Sequence, residues 1–393
     1  MRIAYVSDFL TVHDERFLRK LSAGGYDTTL VTFYPRPQIP ESLTALPSVR
    51  VVHHHVPPYP DPPTQPKNRL ANSVAIRLAF WRCFGLFRRA LREFPPDVVH
   101  AGWVTTCGLM SALSGFRPFL LMPWGSDVLL AHRSTRAQMK LKWVAHRAQR
   151  ITCDCLAVKE RLVADVKYPE EKILVAPWGI DLHRFRPHPQ EASELRSTLG
   201  WEDKKILIMT RSFEPVYGIE HFLASLPEVL RREPETRVIL VGRGSLEPKL
   251  HGMVEALGLR GCVHFAGFVP NPALPYYLSA ADVYVSSSLS DGTSLSLLEG
   301  MACALPVVVT DVPANLEWIQ DGFNGYVAPR QNSHALAECL VKMLQQEEVR
   351  CAMGQRNFHI AQERANWDEN FRKIEGLYAA MTSEMRNASS LTN

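Results

Sequence analysis

The sequence predicts an α/β protein built from two Rossmann-like, doubly wound domains. Three observations predict it. Short apolar runs at residues 2–6, 28–33 and 50–53 read as buried parallel strands. An amphipathic stretch, Glu15 to Leu21, lies between the first two and is closed by Gly24-Gly25, which is βαβ grammar. The same grammar restarts at Lys205, and 393 residues suggest two or three domains.

Composition narrows the class. Hydrophobic residues make up 46% and charged residues 21%, the balance of a soluble globular chain. No apolar run approaches the roughly 18 residues that span a bilayer. Met1 to Asp8 reads directly as a first strand and lacks the apolar core and cleavage site of a signal peptide, so the expected location is cytoplasmic. The eight cysteines are expected as reduced thiols, and Cys153-Asp-Cys155 is too tightly spaced for the usual zinc patterns. The net charge of +4 is uneven. Residues 1–182 carry 24 Lys+Arg against 15 Asp+Glu, and the remainder 20 against 25, so the two halves are expected to face different partners.

Along the chain, the loop Ser7 to Asp14 is expected at the carboxyl end of the first sheet, where ligands bind in such folds. His13 in that loop either contacts substrate or donor phosphate, or caps the helix. His53-His54-His55 is no metal site, because neighbours on a strand point to opposite faces. Val56 to Asn68 carries six prolines and reads as an extended loop. Residues 72–93 read as a long helix in which Val74, Leu78, Trp81, Phe84, Phe87 and Leu91 follow helical spacing, with arginines on other faces. Arg133 to Arg150 holds six Lys+Arg and no acid. This is either a solvated basic face or a contact with anionic membrane lipid or a lipid-phosphate acceptor. No nucleic-acid module accompanies it. Asp97 to Gly102 and Pro118 to Asp127 read as further strands entering loops. After Lys205 to Thr210 come a helix from Gly218 to Arg232 and a strand from Arg237 to Val241. Gly242-Arg-Gly244 then imitates half of a dinucleotide fingerprint. The third glycine is missing, which argues against NAD.

The densest chemistry lies between Ser286 and Asp311. Asp291 and Glu299 bracket an apolar run that opens on Gly292, Thr293 and Ser294. Leu297 to Ala304 reads as helix, which puts Asp291 at its N-terminus and Glu299 about two turns on, on nearly the same face. Small residues before a helix N-terminus offer free N–H groups to a phosphate or sugar oxygen, and carboxylates accept bonds from vicinal hydroxyls. An acidic loop residue and a helical Glu with no ligand is the plainer alternative.

This stretch resembles the E-x7-E signature of the retaining glycosyltransferases of family four (glycosyl transferases group 1), which have the GT-B fold. The usual form is Glu, small residues, then Glu-Ala-Met-Ala-x-Gly-x-Pro-Val. Here it is Asp291-Gly-Thr-Ser, then Glu299-Gly-Met-Ala-Cys-Ala-Leu-Pro-Val, with the first carboxylate one methylene shorter. The resemblance covers almost the whole chain. His100 and Asp127 match acceptor-side loops that often read His-x-His and His-Gly-Ser-Asp, whereas Gly102 and Trp124 depart from them. Lys172 to Pro187 resembles the segment that leads to the linker. Thr210-Arg211 to Tyr217-Gly218 resembles the Gly-Arg-x-x-x-x-Lys-Gly loop, whose Arg and Lys clamp the donor diphosphate. Tyr217 stands where Lys is usual, and Lys204 or Arg243 is the candidate to compensate. Gly267 to Asp282 resembles the segment whose backbone reads the base, and Asp321 to Pro329 the closing turn and strand.

The resemblance implies two Rossmann-like domains facing a central cleft, with a C-terminal helix that crosses back to the first. The expected bounds are 1–187 for the acceptor side, 188–365 for the donor side, 366–385 for the helix and 386–393 for a disordered tail. It implies retaining transfer of a sugar from a nucleotide diphosphate sugar to an acceptor hydroxyl, in polysaccharide or glycolipid synthesis. The implied catalytic residues are Asp291, Asp127 and Arg211. Implied donor contacts are Arg211, Tyr217, Gly242, Asp291, Gly292, Thr293, Ser294, Leu295, Ser296 and Glu299, with Glu299 on the ribose and Asp291 on the sugar. His13, His100, Trp124 and Asp127 fall on the acceptor side, where Trp124 stacks on an acceptor sugar. No cofactor or metal is expected beyond the nucleotide diphosphate sugar as co-substrate. Expected partners are that donor, a sugar or lipid-linked acceptor, and an anionic membrane surface at the inner face, with no nucleic acid. The alternatives are a GT-B epimerase and a GT-B protein that binds nucleotide sugar without transferring it.

Overall fold

In the computed structural model, residues 1–8, 10–33, 39–53 and 69–390 are described, without the side chains of 12, 13, 69–76, 133 and 388–390. The expected extended loop at 56–68 and His54-His55 lie outside the described residues. The first sheet is wound from β1 (Arg2–Ser7), α1 (Val12–Ala23), β2 (Asp27–Thr32), α2 (Glu41–Thr44), β3 (Val49–His53), α3 (Arg69–Glu93), β4 (Val98–Gly102), α4 (Leu109–Ser114), β5 (Phe119–Met122), α5 (Ser126–Leu129), α6 (Thr135–Ala145), β6 (Arg150–Cys153), α7 (Leu156–Ala164) and β7 (Ile173–Val175). The strand order is β3-β2-β1-β4-β5-β6-β7, with every pairing parallel.

The second sheet follows α8 (Pro189–Leu199). It is wound from β8 (Lys205–Thr210), α9 (Ile219–Arg232), β9 (Thr236–Val241), α10 (Glu247–Ala256), β10 (Val263–Gly267), α11 (Leu274–Ser279), β11 (Val283–Ser286), α12 (Leu295–Ala302), β12 (Val307–Thr310), α13 (Pro313–Leu316) and β13 (Gly325–Ala328). Helices α14 (Ser333–Gln345), α15 (Glu347–Arg364) and α16 (Trp367–Ser390) complete the chain. Its order, β10-β9-β8-β11-β12-β13, repeats the winding of the first sheet and is likewise parallel. In such sheets the strand order reverses at one point, here between β1 and β4 and again between β8 and β11. Ligands bind outside the carboxyl ends of the strands at that point.

The chain divides into two compact units. One comprises Met1–Cys153, Val158–Ala176 and Phe371–Asn393, and the other Asp154–Ala157 and Pro177–Asn370. The strands are near-continuous Val, Ile and Leu runs because helices cover both faces of a parallel sheet. Helix α9 buries Ile219, Phe222, Leu223, Leu226 and Val229, a stripe of helical period set against the second sheet. Helix α16 is counted with the first unit from Phe371 onward, and it buries Phe371, Ile374, Tyr378 and Met381. It continues to Ser390, beyond the end expected at 385.

The apolar stripe expected along α3 splits. Cys83, Phe87 and Ala90 are buried, whereas Leu78 and Trp81 face solvent. At about 100° per residue, Leu78 lies roughly 180° from Phe87 and Trp81 about 120° from it, so one stripe cannot hold all three. All eight cysteines are free thiols.

Candidate functional site

The side chain that follows β8 and the loop that follows β11 meet at the switch point of the second sheet. Arg211 comes directly after β8 and Asp291 lies in the loop after β11. Arg211 Nη2 reaches Asp291 Oδ2 at 2.6 Å. Its Nη1 donates to Ser294 Oγ at 2.9 Å and to Ser296 Oγ at 3.0 Å. The guanidinium also lies 3.8 Å over the Tyr217 ring. Tyr217 therefore supports Arg211 through its ring. Arg211 Nε is buried with no hydrogen-bond partner, a donor left over for a ligand. Burial acts to lower the guanidinium pKa, but the Asp291 charge and hydrogen bond together with Tyr217 and Tyr284 outweigh it, and the net shift is upward. Burial also raises the Asp291 carboxyl, against the opposing pull of Arg211.

The turn between Asp291 and the helix is held from far away in sequence. Asp154 Oδ2 accepts the Thr293 N–H at 2.8 Å, and the Thr293 hydroxyl donates to the Asp154 carbonyl at 2.6 Å. Only glycine fits at 292, because a Cβ there would sit 2.5 Å from Asp154 Oδ2. Burial pushes the Asp154 carboxyl up to about 7, with the Asp291 charge adding to it and the Thr293 amide opposing it. The same segment is anchored by Glu317, which accepts the Leu156 and Ala157 amides at 2.9 and 3.0 Å. Sequence reasoning missed Asp154. Its signal was an acid placed directly after an apolar strand, at the carboxyl end of a sheet, and it drew attention only as a spacer between two cysteines.

Ser294 caps α12, its hydroxyl accepting the Leu297 N–H. The helix begins at Leu295, earlier than the expected Leu297, so Asp291 precedes the cap and is not on the helix. The expected shared face of Asp291 and Glu299 is therefore corrected. Glu299 is the fifth residue of α12 and is 8% exposed, and Leu295 is half-buried. Gly242, after β9, has φ 146°, and a Cβ there would lie 2.1 Å from the Arg211 carbonyl oxygen. It lets two strand ends approach closely. Lys204 cannot replace the missing clamp cation. It precedes β8, at the opposite end of the strand from Arg211, and is paired with Glu235. Arg243 remains at the correct strand end, exposed, beside Gly242.

In the first unit, Asp127 braces two loops. Its carboxylate accepts the Val104 N–H at 2.8 Å and the Trp124 N–H at 3.0 Å. Burial raises it to about 6 despite these bonds. Trp124 is half-buried and its ring centre lies 6.4 Å from that of Trp103, a residue with φ 61° that opens a single π-helical turn after β4. Gly102 is small because a Cβ would meet Trp124 Nε1 at 2.5 Å. His100, expected on the acceptor side, is completely buried and bonded to the Tyr378 hydroxyl at 2.6 Å, with burial lowering its pKa to about 3. It is a core histidine, because α16 covers that strand. The His13 side chain lies outside the described residues. Among those described, the one group with metal-ligand spacing is Glu228, His334 and Glu338, far in sequence from Asp291 and already paired with Arg232 through Glu338.

Comparison with known proteins agrees with this geometry. The family model described as Glycosyltransferase Family 4 matches residues 11–184, and Glycosyl transferases group 1 matches residues 191–359. A "GDP-mannose-dependent alpha-(1-6)-phosphatidylinositol monomannoside mannosyltransferase" of Mycolicibacterium smegmatis is 28% identical over 198 residues, 49% of this chain and 52% of that protein. The chain spans about half the length of several of the curated relatives it matches. Sucrose-phosphate synthase from Thermosynechococcus elongatus superposes with a TM-score of 0.82 at 18% identity, covering 98% of this chain and 100% of that one. Anabaena HepE, in complex with UDP and glucose, gives 0.78 at 18% identity, covering 97% and 100%. With both halves matched and both sheets wound alike, the chain belongs to the family 4 glycosyltransferases of GT-B fold.

Proposed function

We propose that the chain binds a nucleotide diphosphate sugar through its second unit and transfers the sugar, with retention, to a sugar or lipid-linked acceptor hydroxyl. The observation that carries this reading is Arg211 at the switch point, held by Asp291, Ser294 and Ser296, with one buried donor unspent. A guanidinium beside a capped helix N-terminus suits a diphosphate. On this reading Arg211 takes the diphosphate, and the amides at the start of α12 stabilise charge as the leaving phosphate develops. Asp291 then turns to the sugar hydroxyls and Glu299 to the ribose. The bond from the anomeric carbon to the donor phosphate breaks, the acceptor oxygen bonds to that carbon on the same face, and the leaving phosphate takes the acceptor proton. No side-chain base is needed, which fits an Asp127 committed to backbone amides. The mannosyltransferase relative and the UDP-bound HepE support a nucleotide sugar donor. No helix among the described residues is long and apolar enough to cross a membrane. A lipid-linked acceptor would then be met at the inner face of the membrane, by peripheral contact through the basic first unit.

The test is a thermal-shift panel of UDP, GDP, ADP and NAD against wild type, Arg211→Ala and Glu299→Ala. A nucleotide at about 100 times its Kd raises stability by roughly 2.7 kcal/mol. One nucleoside diphosphate is expected to stabilise the wild type, with the shift lost in both variants. Stabilisation by NAD alone, or by no diphosphate, refutes the donor site.

A further inference from the structure

A groove lies in the first unit, away from Arg211. It has a volume of ≈ 730 Å³ and opens between the carboxyl-terminal ends of α4 and α6, over Phe119 at the start of β5. That is the opposite end of the sheet from the strand carboxyl ends. Arg117, Lys142 and Arg147 line it and no carboxylate does. None of these three cations has a carboxylate partner among the described residues. Trp143 forms one wall, with the Arg147 guanidinium 3.9 Å over its ring, and Met139 stands beside it, 68% exposed.

The helices around the groove expose further apolar side chains. Helix α3 packs on α4, and α4 on α6. Among the described residues of the first unit, the exposed large apolar side chains are Met1, Leu78, Trp81, Leu113, Met139 and Trp143. All but Met1 sit on these three helices. Exposed cations neighbour them in sequence, Arg77 and Arg82 near Trp81, and Arg136 and Lys140 near Met139. A solvated basic face has no reason to expose indoles and methionine. A nucleic-acid surface would not need leucines. Indole rings at headgroup depth with cations on phosphates are what a membrane interface selects.

We propose that the α3–α4–α6 face seats on an anionic phospholipid bilayer, with one lipid phosphate held in the groove by Arg117, Lys142 and Arg147 and its chain lying along Trp143 and Met139. This deepens the peripheral contact in the proposed function by naming its surface and ligand, and it does not depend on sugar transfer.

The experiment is co-sedimentation of the full chain with phosphatidylcholine vesicles and with vesicles that also contain phosphatidylglycerol. The wild type is expected to pellet with the mixed vesicles only, and less so as salt rises. The double variant Lys142→Glu, Arg147→Glu is expected to bind them about 100-fold more weakly. Trp143→Ala is expected to bind about 10-fold more weakly while keeping its salt dependence. Melting temperature and the nucleoside diphosphate shift, measured on each variant, separate a lost surface from a lost fold or a failed donor site. Equal pelleting with neutral vesicles, no pelleting with either, or no effect of the double variant would overturn the proposal. So would glycerol phosphate displacing the protein from vesicles at millimolar levels, which would make the groove a small-anion site. Pelleting blocked by an acidic peptide but unaffected by Trp143→Ala would overturn it in favour of a protein partner.

Discussion

Asp154 stabilises the turn before α12 by its hydrogen bonds and strains the fold by its charge. Its carboxylate holds Thr293, yet burial raises its pKa from 3.8 to about 7. The native chain therefore keeps a proton there that the unfolded chain releases above about pH 4. Stability falls as pH rises from about 4 to 7, by up to about 4 kcal/mol. Asp14 and Asp127, both raised to about 6 by burial, pull in the same direction over a narrower window. Asp154→Asn keeps an acceptor for the Thr293 amide and removes the titration. It is expected to flatten the decline in stability between pH 4 and 7, read by urea unfolding across that range, and to retain nucleotide binding. Asp154→Ala is expected to weaken nucleotide binding about 10-fold or more at any pH, because the turn loses its brace. Equal binding by wild type and Asp154→Ala would show that the turn holds without it.

At the scale of elements, α12 and α16 do different work. Helix α12 presents its capped N-terminus to the end of β8, and its length matters less than the residues before it. Helix α16 contributes packing. Its Tyr378 pairs with His100, and Phe371 meets the Phe17 ring edge-on at 5.7 Å. Burial depresses His100 to about 3, so its contribution is complete above about pH 6.5 and is lost as pH falls from there toward 3. This sign is opposite to that of Asp154. Tyr378→Phe leaves a buried ring nitrogen unpaired and is expected to cost about 1–3 kcal/mol. Urea unfolding at pH 7 measures it, and an unchanged midpoint would show the bond adds nothing.

At the scale of the molecule, the chain is two units whose membership does not follow sequence order. Residues 154–157 run from the end of β6 into the first turn of α7, yet they are counted with the second unit. A fragment of residues 177–370 would keep Arg211, Asp291 and Glu299 but lose Asp154. It is expected to fold, since both its core clusters lie within it, and to bind nucleoside diphosphate more weakly than the full chain by calorimetry. Adding Asp154→Ala to the full chain should reproduce much of that loss. A fragment that binds as tightly as the full chain would remove Asp154 from the site.

The sequence by itself determined the two parallel sheets and their winding, because strands buried on both faces must be written as continuous apolar runs. Through its resemblance to the family it also singled out Arg211, Tyr217, Gly242 and the stretch from Asp291 to Glu299 as candidates for one site. These residues lie at strand ends or helix starts, where the local pattern fixes position. The tertiary structure decided what depends on residues distant in the chain. It placed Asp154 against Thr293 across 139 positions, and it buried His100 beneath a tyrosine 278 positions later. It decided which apolar side chains of α3 are covered, burying Phe87 and leaving Leu78 and Trp81 to solvent. Local pattern sets which way a backbone runs and which side chains share a face. Burial is settled only when another segment arrives to cover that face, and one sequence does not say which segment that will be.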